Sequence, residues 1–433
     1  MGNIKKYQPI IYEGIPDLNQ ESIAYREFWD EQIERCKNGY KPRGMDAISG
    51  KHYYYLNFYK ILGNSGEKGG RKTLIAPWYR DMDKEYFDLF ETCKDEEKGM
   101  IVIKARDKGF SYMNSGILAQ EFTFYPFNEI GIAAGLQVTA DSFFGKVKNG
   151  LFNQERIFRH SILKDADALL KSGYKKKDRD GKWNVGGFQS SIHCRTMSNP
   201  EVFKGERLSV MIFEEAGEFK ELLNAYMSSK ACFMDGDIQY GVPVIGGTGG
   251  DIELASKDFM DMYYNADAFN LIPMFIPATK CYHGFFDLNT GVSDISGAEK
   301  KLLAERDQLK TGANNKGYNL HIQNYPLTVE EAFLQTKSSK FNIGNINEQR
   351  GLIMSSPQTE NQIQKGRLEW FGEGMDVEWI PDDTGPYKIL SHPMTDYQGL
   401  DIGGIDSYDQ DTAKSSKSLG SAIIYRRFYS VDL

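Results

Sequence analysis

Short apolar runs alternate along this chain with longer stretches of helical periodicity. Met100–Ile103 (MIVI), Ile130–Ala134, Leu208–Phe213 (LSVMIF) and Val242–Ile245 (VPVI) are each bounded by polar or glycine-rich segments. Runs of this length read as strands buried on both faces. Helical patterns lie between and around them: Glu21 to Lys37, stopped by Asn38-Gly39, then Asp81 to Lys94, a segment ending near Phe124, one opening near Thr139, and Gly297 to Lys310. In NYPLTVEEAF (324–333), Thr328 is placed to cap a short helix with Glu330 and Glu331 in its first turn. Apolar strands alternating with helices predict a mainly parallel sheet covered by helices on both faces, an α/β fold. The aromatic-dense stretch from His52 to Tyr59 reads as a packed element, and Gly63 to Arg71 as a polar glycine-rich loop. From Lys337 to Tyr397 the pattern is mixed, with strand-like pieces such as Leu368–Phe371; from Leu400 it becomes strand, acidic loop, strand.

A chain of 433 residues is too long for one core and implies two or three domains. Its 40% hydrophobic and 26% charged residues are those of a globular protein. The net charge of −8 excludes a generic polyanion binder but not a local basic groove. The one dense basic run, Lys175, Lys176, Lys177, Arg179 and Lys182, sits in a hairpin-like setting between Gly173 and Gly187. A solvated turn and a DNA contact are both open there. Five widely spaced cysteines suggest neither a disulfide framework nor a zinc site, which fits a reducing cytosol. No signal-peptide core and no run near the roughly 20 apolar residues of a membrane span is present, so no membrane partner is expected.

The chemistry concentrates at the strand ends. Phosphate binding needs N–H groups converging at a helix N-terminus and a nearby cation. KARDKGFS (104–111) follows the first buried strand and opens a helix. Against the usual G-x-x-x-x-G-K-[ST] frame, Gly109 keeps its place and Ser111 is a Mg²⁺ ligand, but Lys104 stands at the first glycine and Phe110 in the lysine slot. The strand 208–213 ends in Glu214-Glu215, which would place one carboxylate on a metal and the next beside an attacking water. A third strand end, GGTGGD (246–251), offers the Thr248 hydroxyl on glycine-rich backbone. In doubly wound sheets ligands sit at the carboxyl ends of strands, where all three fall.

With these residues in place the sequence resembles the large terminase subunit of tailed phages. YYYLNFYKI, KARDKGFS, MIFEEAGEF, IGGTGGD, NYPLTVEEAF and GIDSYD carry the resemblance over most of the chain. It implies a phosphate-loop ATPase that binds ATP and Mg²⁺, in which Lys104 at the start of the loop supplies the phosphate-binding charge. Arg106 would add a phosphate or sensing contact, with Lys108 and Gly109 completing the loop. Glu214 would bind Mg²⁺ with Ser111, Glu215 would be the catalytic base, and Thr248 would belong to the segment coupling hydrolysis to movement. The family usually carries Asp where this chain has Glu214. Tyr79 and Arg80 are candidates for an adenine contact, and Arg207 for an arginine finger.

The resemblance further implies the start of a ribonuclease-H-like nuclease domain holding two divalent metals. Asp406 in GGID would be its first ligand, followed by Asp409 and Asp411, with the remaining carboxylates expected beyond Leu433. The expected organisation is an N-terminal arm and lid part (1–60), an ATPase core (61–336), a lid or linker (337–396) and the opening of the nuclease domain (397–433). The implied function is a homo-oligomeric motor that drives double-stranded viral DNA into a procapsid in the host cytoplasm, with a portal protein and a small terminase subunit as partners. A helicase of related fold would share the nucleotide site without needing NYPLTVEEAF or GIDSYD. A nucleotide-binding scaffold without turnover is the reading that Phe110 favours.

Overall fold

The computed structural model describes residues 18–41, 46–64, 72–197, 199, 201–249, 257–311, 315–333, 364–372, 376–389, 392, 401–406 and 421–426. The chain divides into two compact units, 1–351 and 352–433.

In the first unit, α1 (Ile23–Asn38) and α2 (Gly50–Asn57) precede an antiparallel hairpin of β1 (Ile61–Asn64) and β2 (Lys72–Ile75). The glycine-rich loop read from sequence falls between these strands, and residues 65–71 lie outside the described ones. After α3 (Asp81–Asp95) come β3 (Gly99–Lys104), α4 (Phe110–Phe124), β4 (Glu129–Ala134) and α5 (Gln137–Asn153). A meander follows: β5 (Ile162–Ala166), β6 (Leu169–Ser172), β7 (Tyr174–Lys177), β8 (Trp183–Gly186) and β9 (Ser191–Thr196). The unit continues with β10 (Leu208–Glu214), α6 (Leu222–Ser229), a small β11 (Met234–Asp235) and β12 (Ile238–Gln239) hairpin, and β13 (Val242–Gly247). It ends with α7 (Lys257–Tyr264), β14 (Leu271–Ile276), α8 (Ile295–Thr311), α9 (Asn315–Asn324) and α10 (Val329–Ala332).

Eight of these strands form one sheet in the order β14-β3-β13-β10-β4-β9-β6-β5. Every pairing from β14 to β9 is parallel, and β6 and β5 continue antiparallel at one side. The fold is α/β, with a mostly parallel sheet flanked by helices. Alternation within the strands explains why it is covered on both faces. Met100, Val102, Ile130, Ile132, Val210, Ile212 and Val244 join an aromatic core with α1 to α5. Their neighbours Ile101, Ile103, Ala133, Met211, Phe213 and Ile245 join a second core with α6 and α7.

Helix α2 explains the aromatic-dense stretch: Tyr53, Tyr54, Tyr55, Phe58 and Tyr59 are all buried. Three of the hydroxyls are satisfied: Tyr53 donates to Gln32 and Tyr54 to Gln154 at 2.5 Å each, and Tyr59 to the Lys146 carbonyl at 3.0 Å. His52 is stacked between Tyr79 and Phe87, and burial lowers its pKa to about 3, so it is a neutral core residue. Each such side chain, fully buried, contributes on the order of 1.5–3 kcal/mol. Sequence periodicity missed β14, whose Pro273 breaks the apolar pattern, although this strand borders the phosphate loop. Thr328 caps α10 as expected, accepting from the Glu331 N–H.

In the second unit, β15 (Gln364–Phe371) pairs antiparallel with β16 (Asp376–Pro381) and β17 (Tyr387–Ile389). The strand–loop–strand reading from Leu400 is the antiparallel pair β18 (Asp401–Asp406) and β19 (Ser421–Arg426).

Candidate nucleotide site

The parallel strands bring β3 and β10 to one edge with β13 between them, so Lys104, Glu214 and Gly247 end side by side. From β3 the chain turns through 105–109 into α4. Gly109 has φ +77°, and a Cβ there would lie 2.8 Å from the Arg80 guanidinium, so glycine is required on two counts. The opening N–H groups of α4 have no intrahelical partner, and they give the loop its anion-binding character.

The predicted charges meet here. Lys104, buried at the strand end, lies 3.0 Å from the Glu215 carboxylate. Ser111 donates to Glu214. The Thr248 N–H donates to Glu215 at 3.1 Å, and its hydroxyl lies 3.4 Å from the same oxygen. Glu215 takes a left-handed conformation, φ +50°, which turns its side chain back over the strand ends. Burial disfavours its charge, yet Lys104 beside it holds the carboxyl below the usual range. Glu214 goes the other way: burial, reinforced by the Glu215 charge, pushes it up to about 7. One Glu214 oxygen, Oε2, is buried without a hydrogen-bond partner. An oxygen left so, next to a serine hydroxyl, fits a hard divalent cation such as Mg²⁺.

Phe110, in the usual lysine slot, is a core residue packed edge-on against Tyr86. Lys108 departs from expectation. A lysine in a loop just before a glycine would ordinarily face solvent, but this one is buried. Its ammonium donates to the carbonyls of Ala278 at 2.8 Å and Lys280 at 2.6 Å, and burial lowers its pKa to about 8. Lys108 is therefore an internal strut tying the loop to the segment after β14. Arg80 is another: it grips Asp83 through two hydrogen bonds of 3.0 and 2.7 Å and donates to the Lys108 carbonyl at 3.0 Å.

Two cavities share the loop. One of about 540 Å³ is lined by Lys72, Lys104, Gly109, Ser111 and Lys146. The other, about 640 Å³, is lined by Trp78, Arg80, Tyr282, Phe286 and Tyr325 among others. Sequence reasoning missed Lys72 and Lys146, which lie on β2 and α5 outside any motif, and Tyr282, which follows the unread strand β14. Tyr79 does not line the second cavity but stacks on His52.

The NYPLTVEEAF segment spans the site. The Arg106 N–H donates to the Asn324 carbonyl at 2.9 Å, and its guanidinium to the Asn324 side chain at 2.7 Å. At the far end a Cβ on Gly249, next to Thr248, would fall 1.9 Å from the Ala332 carbonyl. Between these ends the buried Arg306 holds Glu331 by two bonds of 2.8 and 2.7 Å and donates to the Tyr325 carbonyl at 3.0 Å. The segment thus straps the phosphate loop to the Thr248 loop.

Arg207 begins near the opposite edge, where its N–H donates to Glu129 and its guanidinium to the Met234 carbonyl. Glu129, His193 and Glu206 bring three possible metal-ligand atoms within 4.8 Å of one another, but Arg195 already donates to Glu206 at 2.6 Å. Asp406 closes β18; Asp409 and Asp411 lie outside the described residues. No helix among the described residues is long and apolar enough to cross a membrane.

No protein-family model and no curated protein matches the chain. Among solved structures, the large terminase of a thermophilic bacteriophage aligns at 14% identity and a TM-score of 0.31, covering 42% of this chain and 41% of that one. The Thermus phage P74-26 large terminase ATPase domain aligns at 11% identity and a TM-score of 0.37, covering 52% and 86%. The HK97 bacteriophage large terminase aligns at 11% identity and 0.35, covering 70% and 52%. The chain thus spans about two fifths of the first of these proteins.

Proposed function

We propose that this chain is an ATP-hydrolysing motor that moves double-stranded DNA, of the large-terminase type that its motifs resemble. One observation carries the nucleotide reading: a lysine ending one strand, a helix-opening serine and two consecutive carboxylates at the end of another strand converge at one edge of the sheet, with one buried carboxylate oxygen left unsatisfied. Structural ion pairs rarely leave such an oxygen bare.

In this reading the triphosphate enters the cavity lined by Lys72, Lys104 and Lys146, and the base enters the aromatic cavity beside Trp78 and Tyr282. Ser111 and Glu214 would hold Mg²⁺, which offsets charge on the transferred phosphoryl group. Lys104 binds the phosphates, releasing Glu215 to orient and deprotonate water. Arg106, Lys108 and Gly109 shape the loop, and Thr248 reports the state of Glu215 to the strap. The Phe110 substitution does not argue for an inert scaffold, because Lys104 brings a cation to the same cavity.

The motor role rests on the motif resemblance. With it come residues 61–336 as the ATPase core, 1–60 as arm and lid part, 337–396 as lid or linker, and 397–433 as the opening of a nuclease domain with Asp406 as a metal ligand. A homo-oligomeric ring, a portal protein, a small terminase subunit and the host cytoplasm complete the proposal. The test is steady-state ATPase with and without duplex DNA. The wild type should turn over and be stimulated by DNA, while Glu215→Gln should bind ATP and not hydrolyse it. Near-wild-type turnover in the variant would overturn the site.

A further inference from the structure

The ribbon β7–β8 is the most basic element of the protein. Between Tyr174 and Gly186 it carries five cations against two carboxylates, in a chain whose net charge is −8. One of those carboxylates is spent on the turn: Asp178 accepts from the N–H groups of Asp180 and Lys182 and from the Asn184 side chain, at 2.8 to 3.0 Å. Among the described residues, no carboxylate pairs with Lys175, Lys176, Lys177, Arg179 or Lys182. Pairing sets Lys175 beside Val185 and Lys177 beside Trp183 on one face, and Lys176 beside Asn184 on the other. Trp183 is 62% exposed, and the Lys177 ammonium lies 5.2 Å from its ring centroid.

The ribbon grows out of the β6–β9 pair, whose last partners are Lys171 and Ser191. Ser191 begins β9, which runs parallel to β4 and through it to β10. The ribbon therefore leaves the amino edge of the sheet, opposite Glu214. An isolated two-stranded hairpin is marginal in water. This one exposes its aromatic residues and concentrates like charges, neither of which serves the core.

We propose that the ribbon grips duplex DNA by its phosphates, without reading sequence; the choice of DNA among polyanions rests on the motor reading above. Four-residue strands give a ribbon of about 13 Å. Duplex DNA carries one charge per ~1.7 Å, and its major groove admits a two-stranded ribbon. Cations on both faces and at the tip can then meet phosphates on either side, and Trp183 packs on sugar and base edges.

The experiment measures anisotropy of a labelled 30-base-pair duplex over a salt series, alongside ATPase activity. Four proteins are compared: wild type, a K175Q/K177Q/R179Q variant, a K175R/K177R variant, and a K98Q/K204Q/K310Q control that removes three exposed cations from elsewhere. The ribbon variant should bind at least about tenfold more weakly, with the slope of log K against log salt reduced by ~0.9 for each phosphate no longer neutralised. Its basal ATPase should persist and its DNA stimulation disappear. The K175R/K177R variant should keep wild-type binding, which guards against a folding defect. Unchanged affinity and slope overturn the proposal, as does an equal loss in the control. A wild type that hydrolyses ATP but does not bind the duplex overturns the ribbon and leaves the nucleotide site standing. Ribbon-dependent binding without turnover does the reverse.

Discussion

The two edges of one parallel sheet use charge in opposite ways. At the carboxyl edge Lys104, Ser111, Glu214 and Glu215 come from segments more than a hundred residues apart, with Lys104 and Glu214 buried and Ser111 and Glu215 half-buried, each engaged by another. At the amino edge the charges are local and wetter: the ribbon cations fall within eight consecutive residues, and Lys175, Lys176 and Lys177 face solvent. Removing one member of a buried group strands its partner, at a cost of several kcal/mol. Removing an exposed charge costs little in stability and acts through a screened field. The first edge should thus behave as a switch for chemistry, and the second as a graded, salt-sensitive grip.

The largest expected effect tests that division. Glu215→Gln should lower turnover by about 10²–10⁴-fold. Its affinity for duplex DNA and its salt slope should match the wild type, because the ribbon lies at the other edge. Loss of both activities together would show that the edges are not separate.

The next effect distinguishes two lysines at the same edge. Lys104→Ala should abolish turnover and, because the Glu215 side chain it strands is 25% exposed, lower the melting temperature by less than loss of a fully buried partner would. Lys108→Ala should chiefly destabilise, since it leaves the Ala278 and Lys280 carbonyls without their donor. Paired measurements of melting temperature and ATPase rate separate them. A larger catalytic loss at Lys108, in protein that remains folded, would transfer the phosphate-binding role to it.

Much of this edge was legible in the sequence, because backbone geometry writes directly into composition. An apolar strand, a glycine before a helix and two acids after a strand each leave a local signature. Ser111, Glu214, Glu215 and Thr248 carry such signatures, Lys104 is singled out by the family resemblance, and the structure brings the five together. What stayed hidden depends on contacts between distant segments. The burial of Lys108 requires β14, whose exposed Pro273 interrupts the apolar period. Lys72 and Lys146 reach the cavity only because a hairpin and a helix fold over it. The acidic segment after β18 lies outside the described residues past Asp406, so its metal-binding reading still stands on sequence alone.

A third effect falls on the strap. Arg306→Met leaves Glu331 without its cation. For a fully buried pair the loss would be about 3–5 kcal/mol; Glu331 keeps 26% of its side chain exposed, so the cost should be smaller. The sharper consequence is functional. With the strap loosened, Asn324 no longer fixes Arg106 and Ala332 no longer backs the Thr248 loop, so the KM for ATP should rise several-fold. A lower melting temperature with unchanged KM would make the strap purely structural.

The smallest effect is the cost of burying the Lys108 charge. An unfolded lysine titrates near 10.4, whereas burial brings Lys108 to about 8. Between those values the unfolded chain binds more protons than the folded one, so stability rises with pH. The destabilising contribution is fully present below about pH 8 and gone above roughly 10.4. Lys108→Met lacks this titration but shares every other group, so subtracting its unfolding curve from the wild type isolates it. The wild type should gain on the variant steadily across the window, by at most about 3 kcal/mol. Chemical denaturation at several alkaline pH values measures the difference. A flat difference would mean that the two carbonyls hold the ammonium charged, and that the carboxyl edge tolerates a lone buried cation without cost.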